Sequence, residues 1–328
     1  MKAVVQDRYG SADVLELRDI ARPEIGDDEV LVRVIAAGVD RGAWHFMTGV
    51  PYVMRIIGFG FRAPKVPVAG TNIAGRVDEV GKNVTRFRRG DEVYGTCRGA
   101  FAEYACAREE KLAPKPDRLA FEGAAVVPHG GFAALQGLRD RGRLQADQTV
   151  LIVGASGAVG SLAVQLAKAF GADVTGVCNT TTVDMVHALG ADRVIDYTRE
   201  DFANSGPYDL ILDTGGNSAL SRLRRALAPR GTLVIVGGER GRWIGMDRQI
   251  RAHMLSPFLG QRLGTFVARE NADDLLILNE FIQSGKVTPL VARTYPLSGA
   301  PDAMRLLETG RARGRIAVTV RAGGNAGS

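Results

Sequence analysis

Cysteine is scarce: Cys97, Cys106 and Cys178 are the only three in 328 residues. That excludes a disulfide framework and points to a reducing compartment. Long apolar runs are also missing. No stretch approaches the roughly 18 residues a spanning helix needs, and MKAVVQDRYG opens without the apolar core of a secretory leader. A cytoplasmic protein with no membrane span is expected. The 42 basic residues are spread among 36 acidic ones, and no element gathers them with interleaved aromatics. Nucleic acid is therefore excluded as a partner, and Arg222, Arg224 and Arg225 read as the solvated face of one helix. The surplus of +6 suits attraction of a small anionic ligand instead. There is no internal repeat and no low-complexity linker.

What is present is a change of rhythm, in a chain long enough to predict two domains. Up to about residue 120, the runs AVVQ, VLELRDI, EVLVRVIAAGV, IAGRVDEVG, DEVYGTC and AFAEYACA read as strands between Gly, Pro and Asp. FEGAAVVPHGGFAALQGLRDRG then has helical spacing, and TVLIVG is a strand buried on both faces. Helices and strands alternate from there: VGSLAVQLAKAFG, DVTGVC, TVDMVHALG, RVIDY, YDLILDTG, SALSRLRRALAPRG and TLVIVGG. This alternation predicts an α/β unit with a doubly wound parallel sheet. Two helices (ADDLLILNEFIQSG and APDAMRLLETG) and two strands (RTYPL and RIAVTV) follow, before an unstructured tail, AGGNAGS.

Gly154, Gly157 and Gly160 stand directly after the buried strand and open the next helix. Small residues let the backbone approach a pyrophosphate, and a helix N-terminus offers N–H groups and a positive dipole end. Ser156 adds a hydroxyl; Ala158 and Val159 complete the turn. A tight turn without a ligand is the alternative, but the further strands in sequence favour a dinucleotide. An NAD site places a carboxylate at the end of the second strand, about 20 residues on. Here that point reads Cys178, Asn179, Thr180, Thr181 and Thr182, with no carboxylate before Asp184. Neutral donors suit a 2′-phosphate, and Tyr197 reaches the same pocket from the third strand unless it merely caps it. NADPH is the expected cofactor.

The order MKAVVQDRYG, PEIGDDEVLVRVIAAGV, VAGTNIAGRVDEVG, RRGDEVYG, VGASGAVG, GADRVIDY and GRARGRIAVTV resembles the medium-chain dehydrogenase/reductase superfamily over nearly the whole chain. Within it the chain looks like the zinc-independent quinone oxidoreductase and enone reductase branch. The resemblance implies a GroES-like, β-rich catalytic domain in residues 1–120, a Rossmann NADP-binding domain in 121–268, and a return to the catalytic domain in 269–328. It implies hydride transfer from NADPH to a quinone or an α,β-unsaturated carbonyl. Further cofactor contacts carried over by position are Gly237 and Gly238, Phe266 and Val267, and Arg311 and Arg313, the last alternatively a surface arginine. A homodimer through the edge of the Rossmann sheet, with TFV as the edge strand, is implied as well.

Zinc members of the superfamily supply an early Cys, then Gly-His-Glu, then a later Cys or Asp. The early position here resembles Asp40, and the second reads Gly70-Thr71-Asn72. A tetrahedral zinc site wants thiolate and imidazole, so no zinc is expected. The four-cysteine loop is missing, and Cys97 and Cys106 read as small core residues. Without a metal, charge on the acceptor oxygen falls to hydrogen-bond donors and a proton source, which suits quinones and enones better than alcohols. The branch usually reads Asn-Pro after the AAGV strand, whereas this chain reads Asp40-Arg41-Gly42-Ala43-Trp44-His45. By resemblance His45, Tyr52 and His129 fall near the nicotinamide as candidate donors, each with a purely structural alternative. Asp40 pairs with Arg41 or caps a turn, and GFGFRAPKVPV is a pocket wall or an ordinary loop. Two rival functions remain at this stage: a nicotinamide-binding redox sensor or structural protein with little turnover, and a zinc-free alcohol or carbonyl reductase.

Overall fold

The computed structural model describes residues 1–53, 55–237, 246–256, 259–310, 312 and 314–320. Gly238, Arg311, Arg313 and the tail AGGNAGS lie outside the described residues. The chain forms two units, one of Met1–His129, Glu270–Gln283 and Pro289–Ser328, the other of Gly130–Arg269 and Ser284–Thr288.

In the first unit β1 (Lys2–Val5) and β2 (Glu16–Asp19) make an antiparallel ribbon. The strand β3 (Glu29–Val39) is apolar and buried along most of its length, and it leads into α1 (Arg41–Thr48). It pairs antiparallel with β4 (Asn72–Val80), which pairs with β5 (Glu92–Thr96). Next come β6 (Tyr104–Arg108) on β3, β7 (Leu112–Pro114) on β5, and α2 (Phe121–Ala125). The register places Gly38 opposite Asn72 and Asn72 opposite Thr96, so the end of β3 delivers Asp40 to the start of β4.

The unit boundary falls inside α3 (Pro128–Gln136). The long helix read from FEGAAVVPHGG onward is therefore two helices, because Pro128 removes a backbone donor and starts a new one. The boundary expected at residue 121 sits at Gly130, because α2 packs on the β3–β4 sheet. In the second unit come β8 (Thr149–Val153), α4 (Gly160–Ala169), β9 (Asp173–Cys178), α5 (Val183–Ala188), β10 (Arg193–Asp196) and β11 (Tyr208–Asp213). They are followed by α6 (Leu220–Ala226), β12 (Leu227–Ile235), α7 (Met246–Leu255) and β13 (Arg262–Thr265). All six strands run parallel in the order β10-β9-β8-β11-β12-β13, the doubly wound arrangement with its reversal between β8 and β11. The helix read in SALSRLRRALAPRG stops at Ala226, and LAPRG opens β12 beside β11. The sheet edge is Arg262–Thr265, so Phe266 and Val267 follow the strand instead of forming it.

The chain returns to the first unit with α8 (Ala272–Gln283), β14 (Val291–Pro296), α9 (Ala300–Thr309) and β15 (Arg315–Thr319). Antiparallel pairing of β15 with β3 extends that sheet to β14-β15-β3-β4-β5-β7. Each unit has its own apolar core. One gathers Val32, Ile73, Phe101 and Ile316, the other Leu151, Ile211, Leu223 and Leu233. No helix among the described residues is long and apolar enough to cross a membrane.

Candidate functional site

The glycine turn of the second unit is fixed by backbone geometry. Gly154 has φ +83, and a Cβ there would sit 2.8 Å from the Thr214 hydroxyl oxygen. A Cβ on Gly160 would run into the Gly154 carbonyl. The turn is closed by Gly157 N–H donating to Gly154 (3.0 Å), and α4 starts without a side-chain cap. The ends of β8, β9 and β11 are level, with Val153 beside Val177 and Asp213. Their following loops therefore open on one edge.

That edge carries a pocket of about 450 Å³, a size suited to part of a dinucleotide. Among the residues singled out from sequence, it brings together Gly154, Ser156, Gly157, Cys178, Asn179 and Tyr197. Ala158, Val159 and Gly160 continue the turn into α4 without lining it. The hydroxyls of Thr180 and Thr181 are spent locally, on Asp196 (2.5 Å) and on Asn179 Oδ1 (2.7 Å). Gly237 follows β12 with φ +75. Phe266 lies under the Arg141 guanidinium (5.7 Å), and Val267 is 91% exposed; neither lines the pocket.

Sequence reasoning missed the far wall. Thr214, Asn217 and Ser218 come from the loop after β11, and Arg222 from α6. Their signal was the strand order itself, since ligands bind where it reverses. Among the described residues, Arg222 is the single cation lining this pocket. It is held by Asp201 (2.7 Å) and lies over the Phe202 ring (4.9 Å).

The first unit holds a chain of alternating charge. Asp40 caps α1 by accepting from Ala43 N–H (2.9 Å), and its Oδ2 accepts from Asn72 Nδ2 (2.7 Å) and from His129 Nδ1 (2.9 Å). The other ring nitrogen, Nε2, donates to Glu270 Oε1 (3.0 Å), and Glu270 Oε2 meets Lys111 Nζ (2.7 Å). Burial disfavours the charged imidazole, but the Asp40 and Glu270 carboxylates outweigh it and push His129 up to about 10. Burial likewise opposes ionisation of Glu270, yet His129 and Lys111 hold it down to about 2. Asp40 is also held below its usual range, mainly by His129 against its own burial. At neutral pH this is Lys⁺–Glu⁻–His⁺–Asp⁻. Of the alternatives for Asp40, the cap is realised; its ion pair with His129 was not among those expected.

The other candidates stand on α1 and the turn beyond it. His45 Nδ1–H donates to the Val50 carbonyl (2.8 Å), and burial pulls the ring's pKa down. It is therefore neutral, with Nε2 as an acceptor. Tyr52 is half-exposed under the Arg55 guanidinium (4.6 Å). GFGFRAPKVPV contributes Gly58, Phe59, Pro64 and Lys65 to a narrow pocket closed by Phe46, Met47 and Thr71. Thr71 also borders a second pocket of about 360 Å³ with Arg98, Lys111 and Glu270.

The donor set at the superfamily's zinc position does not fit that metal. Both nitrogens of His129 carry hydrogens directed at carboxylates, and Asp40 already accepts from Ala43, Asn72, His129 and Thr71. Thr71 and Asn72 offer a hydroxyl and an amide. Cys97 is buried and Cys106 half-buried, and neither belongs to a group of ligands among the described residues. Among the described residues no group of three His, Cys, Asp or Glu is placed to hold a metal.

Residues 26–117 match the alcohol dehydrogenase GroES-like domain, and residues 189–318 the zinc-binding dehydrogenase family. The chain is 33% identical to the 2-methylene-furan-3-one reductase of Solanum lycopersicum, over 97% of this chain and 79% of that protein. It is 34% identical, with the same coverage, to the chloroplastic NADPH-dependent alkenal/one oxidoreductase of Arabidopsis thaliana. Among solved structures, the quinone oxidoreductase of Coxiella burnetii superposes with a TM-score of 0.86 at 29% identity, covering 98% of this chain and 99% of that one.

Proposed function

Because this chain belongs to the medium-chain dehydrogenase/reductase superfamily, we propose that it is an NADPH-dependent oxidoreductase that reduces a quinone or an α,β-unsaturated carbonyl. The observation that carries the reading is the pocket at the ends of β8, β9 and β11, with its glycine turn, neutral second-strand end and Arg222. NADPH bound there supplies a hydride. The chain's own part is to bind the pyrophosphate on the amides of the Gly154–Gly157 turn and the Ser156 hydroxyl, and the 2′-phosphate among Asn179, Tyr197 and Arg222.

In the first unit, His129 has both N–H groups committed to carboxylates, so it is a fixed positive charge and not a free proton donor. Electrostatic stabilisation of a developing enolate or hydroquinone oxygen is what such a charge offers. Tyr52 is exposed and offers a hydroxyl for donation, and the Nε2 of His45 can accept. The reading includes zinc independence, supported by the donor set, together with a cytoplasmic location and a homodimer through the β13 edge.

The test is cofactor oxidation by purified, chelator-treated protein of assayed metal content, offered NADPH or NADH with 9,10-phenanthrenequinone or a simple enone. Faster NADPH consumption with retained activity is expected. Tight NADPH binding with every acceptor inert would overturn the reductase in favour of a sensor.

A further inference from the structure

From residue 41 to residue 77 the chain has no aspartate or glutamate, yet it carries Arg41, Arg55, Arg62, Lys65 and Arg76. The middle of this stretch also shows the most exposed large apolar side chains of the first unit's described residues, Ile56 at 75% and Phe61 at 73%. These are not the loose ends of a loop. Tyr9 Oη donates to the Gly60 carbonyl (2.7 Å), Lys65 N–H to the Phe59 carbonyl (2.8 Å), and Phe59 stacks on Phe46 with ring centres 4.0 Å apart. Arg55 donates to the Gly49 and Thr48 carbonyls (2.8 and 2.9 Å) and lies over both Tyr9 and Tyr52. The segment is thus pinned to α1 at its centre and holds Ile56 and Phe61 outward on either side. Arg62 and Lys65 are exposed, and neither has an ion-pair partner among the described residues.

We propose that residues 55–65 form a lip that docks the first unit on an anionic lipid surface, with Ile56 and Phe61 entering the interface and Arg62 and Lys65 meeting lipid phosphates. Exposed apolar side chains flanked by basic ones, in a stretch of sequence without aspartate or glutamate, are the chemistry of an interfacial anchor. A second copy of the chain is a poor occupant, since it would bring two acid-free basic faces together. The docking does not depend on the reductase reading. What it adds to that reading is a route for lipophilic quinones from a bilayer toward the pocket of Phe46, Phe59 and Thr71, whose rim this segment forms.

The experiment is co-sedimentation of the full chain, without substrate or cofactor, with vesicles of phosphatidylcholine alone or mixed equally with phosphatidylglycerol. Preferential binding to the mixed vesicles, weakened by added salt, is expected. The pair Ile56→Ser and Phe61→Ser should lower that binding about tenfold or more, and Arg62→Gln with Lys65→Gln roughly 30-fold. An unchanged circular dichroism spectrum and melting temperature certify that each variant is folded. As a second readout, Phe61→Trp should shift its emission to the blue on mixed vesicles only. Equal or no binding to the two vesicle types overturns the proposal. So does undiminished binding by the Ile56 and Phe61 variant, or a change in its oligomeric state with vesicles left unbound. Because no turnover is read, failure here leaves the reductase assay untouched.

Discussion

At the scale of single residues, His129 and Arg222 decide most. In the unfolded chain His129 titrates near 6.5, and in the fold near 10. Between those values the folded state keeps a proton that the unfolded state has lost, so its stabilisation is complete below 6.5 and fades as pH rises through 10. Glu270 works the other way: ordinarily near 4.5 and held near 2, it contributes fully above 4.5 and less as pH falls. Asp40 behaves like Glu270. The cluster therefore stabilises most between 4.5 and 6.5. His129→Gln should cost about 3 kcal/mol, because it leaves two carboxylates facing each other, and should flatten the alkaline decline in melting temperature. An equal decline in wild type and variant would show that some other group causes it. Arg222→Ala should lower preference for NADPH over NADH about tenfold or more, the value of a charge-assisted contact to a phosphate. The ratio of kcat/KM for the two cofactors reads this directly, and an unchanged ratio would put the 2′-phosphate elsewhere.

At the scale of elements, α1 shows where sequence patterns stop. Its eight residues, RGAWHFMT, are too few for an apolar period to appear. The helix exists because Asp40 caps it and because β3 delivers that cap in register with Asn72. Asp40→Asn keeps an acceptor for the Ala43 amide, whereas Asp40→Ala removes it. The alanine variant should therefore melt lower by about 1 kcal/mol more than the asparagine variant; chemical denaturation of both resolves the difference. Strands β3, β4, β8, β9 and β11 were legible because buried alternation and buried runs are local signals. So were the glycine turn and Cys178–Asn179, which sit at fixed offsets from a strand end. The partnership of His129 with Glu270, 141 residues away, was not legible. Nor was the place of Arg222 in the pocket wall, which pattern alone assigned to a solvated face. Both depend on which strand ends the topology brings level, and a linear pattern carries no such information. β12 was misjudged at its start for a related reason. Pro229 and Gly231 look like a helix stop, yet pairing with β11 makes LAPRG strand.

At the scale of the whole molecule, two cores divide the work, and each can be interrogated separately by amide hydrogen exchange. NADPH at a hundred times its Kd should add about 2.7 kcal/mol to the opening free energy of the state that binds it. Protection should therefore rise in β8, β9 and β11, whose ends carry the pocket, and NADH at equal concentration should protect them less. The β3 and β4 amides beside Asp40 and Asn72 provide the opposite test. If Asp40 and His129 are held by each other and not by a metal, a strong chelator leaves exchange there unchanged, because the hydrogen bonds that fix the cluster lie wholly within the chain. Faster exchange in β3 and β4 after chelation, reversed by zinc, would mean that the imidazole gives up a proton to a metal, and the zinc-independent reading would fall with the charged His129. Retained protection there, with cofactor-dependent protection in the other unit, makes the imidazolium the resident cation of the first unit and NADPH the ligand of the second.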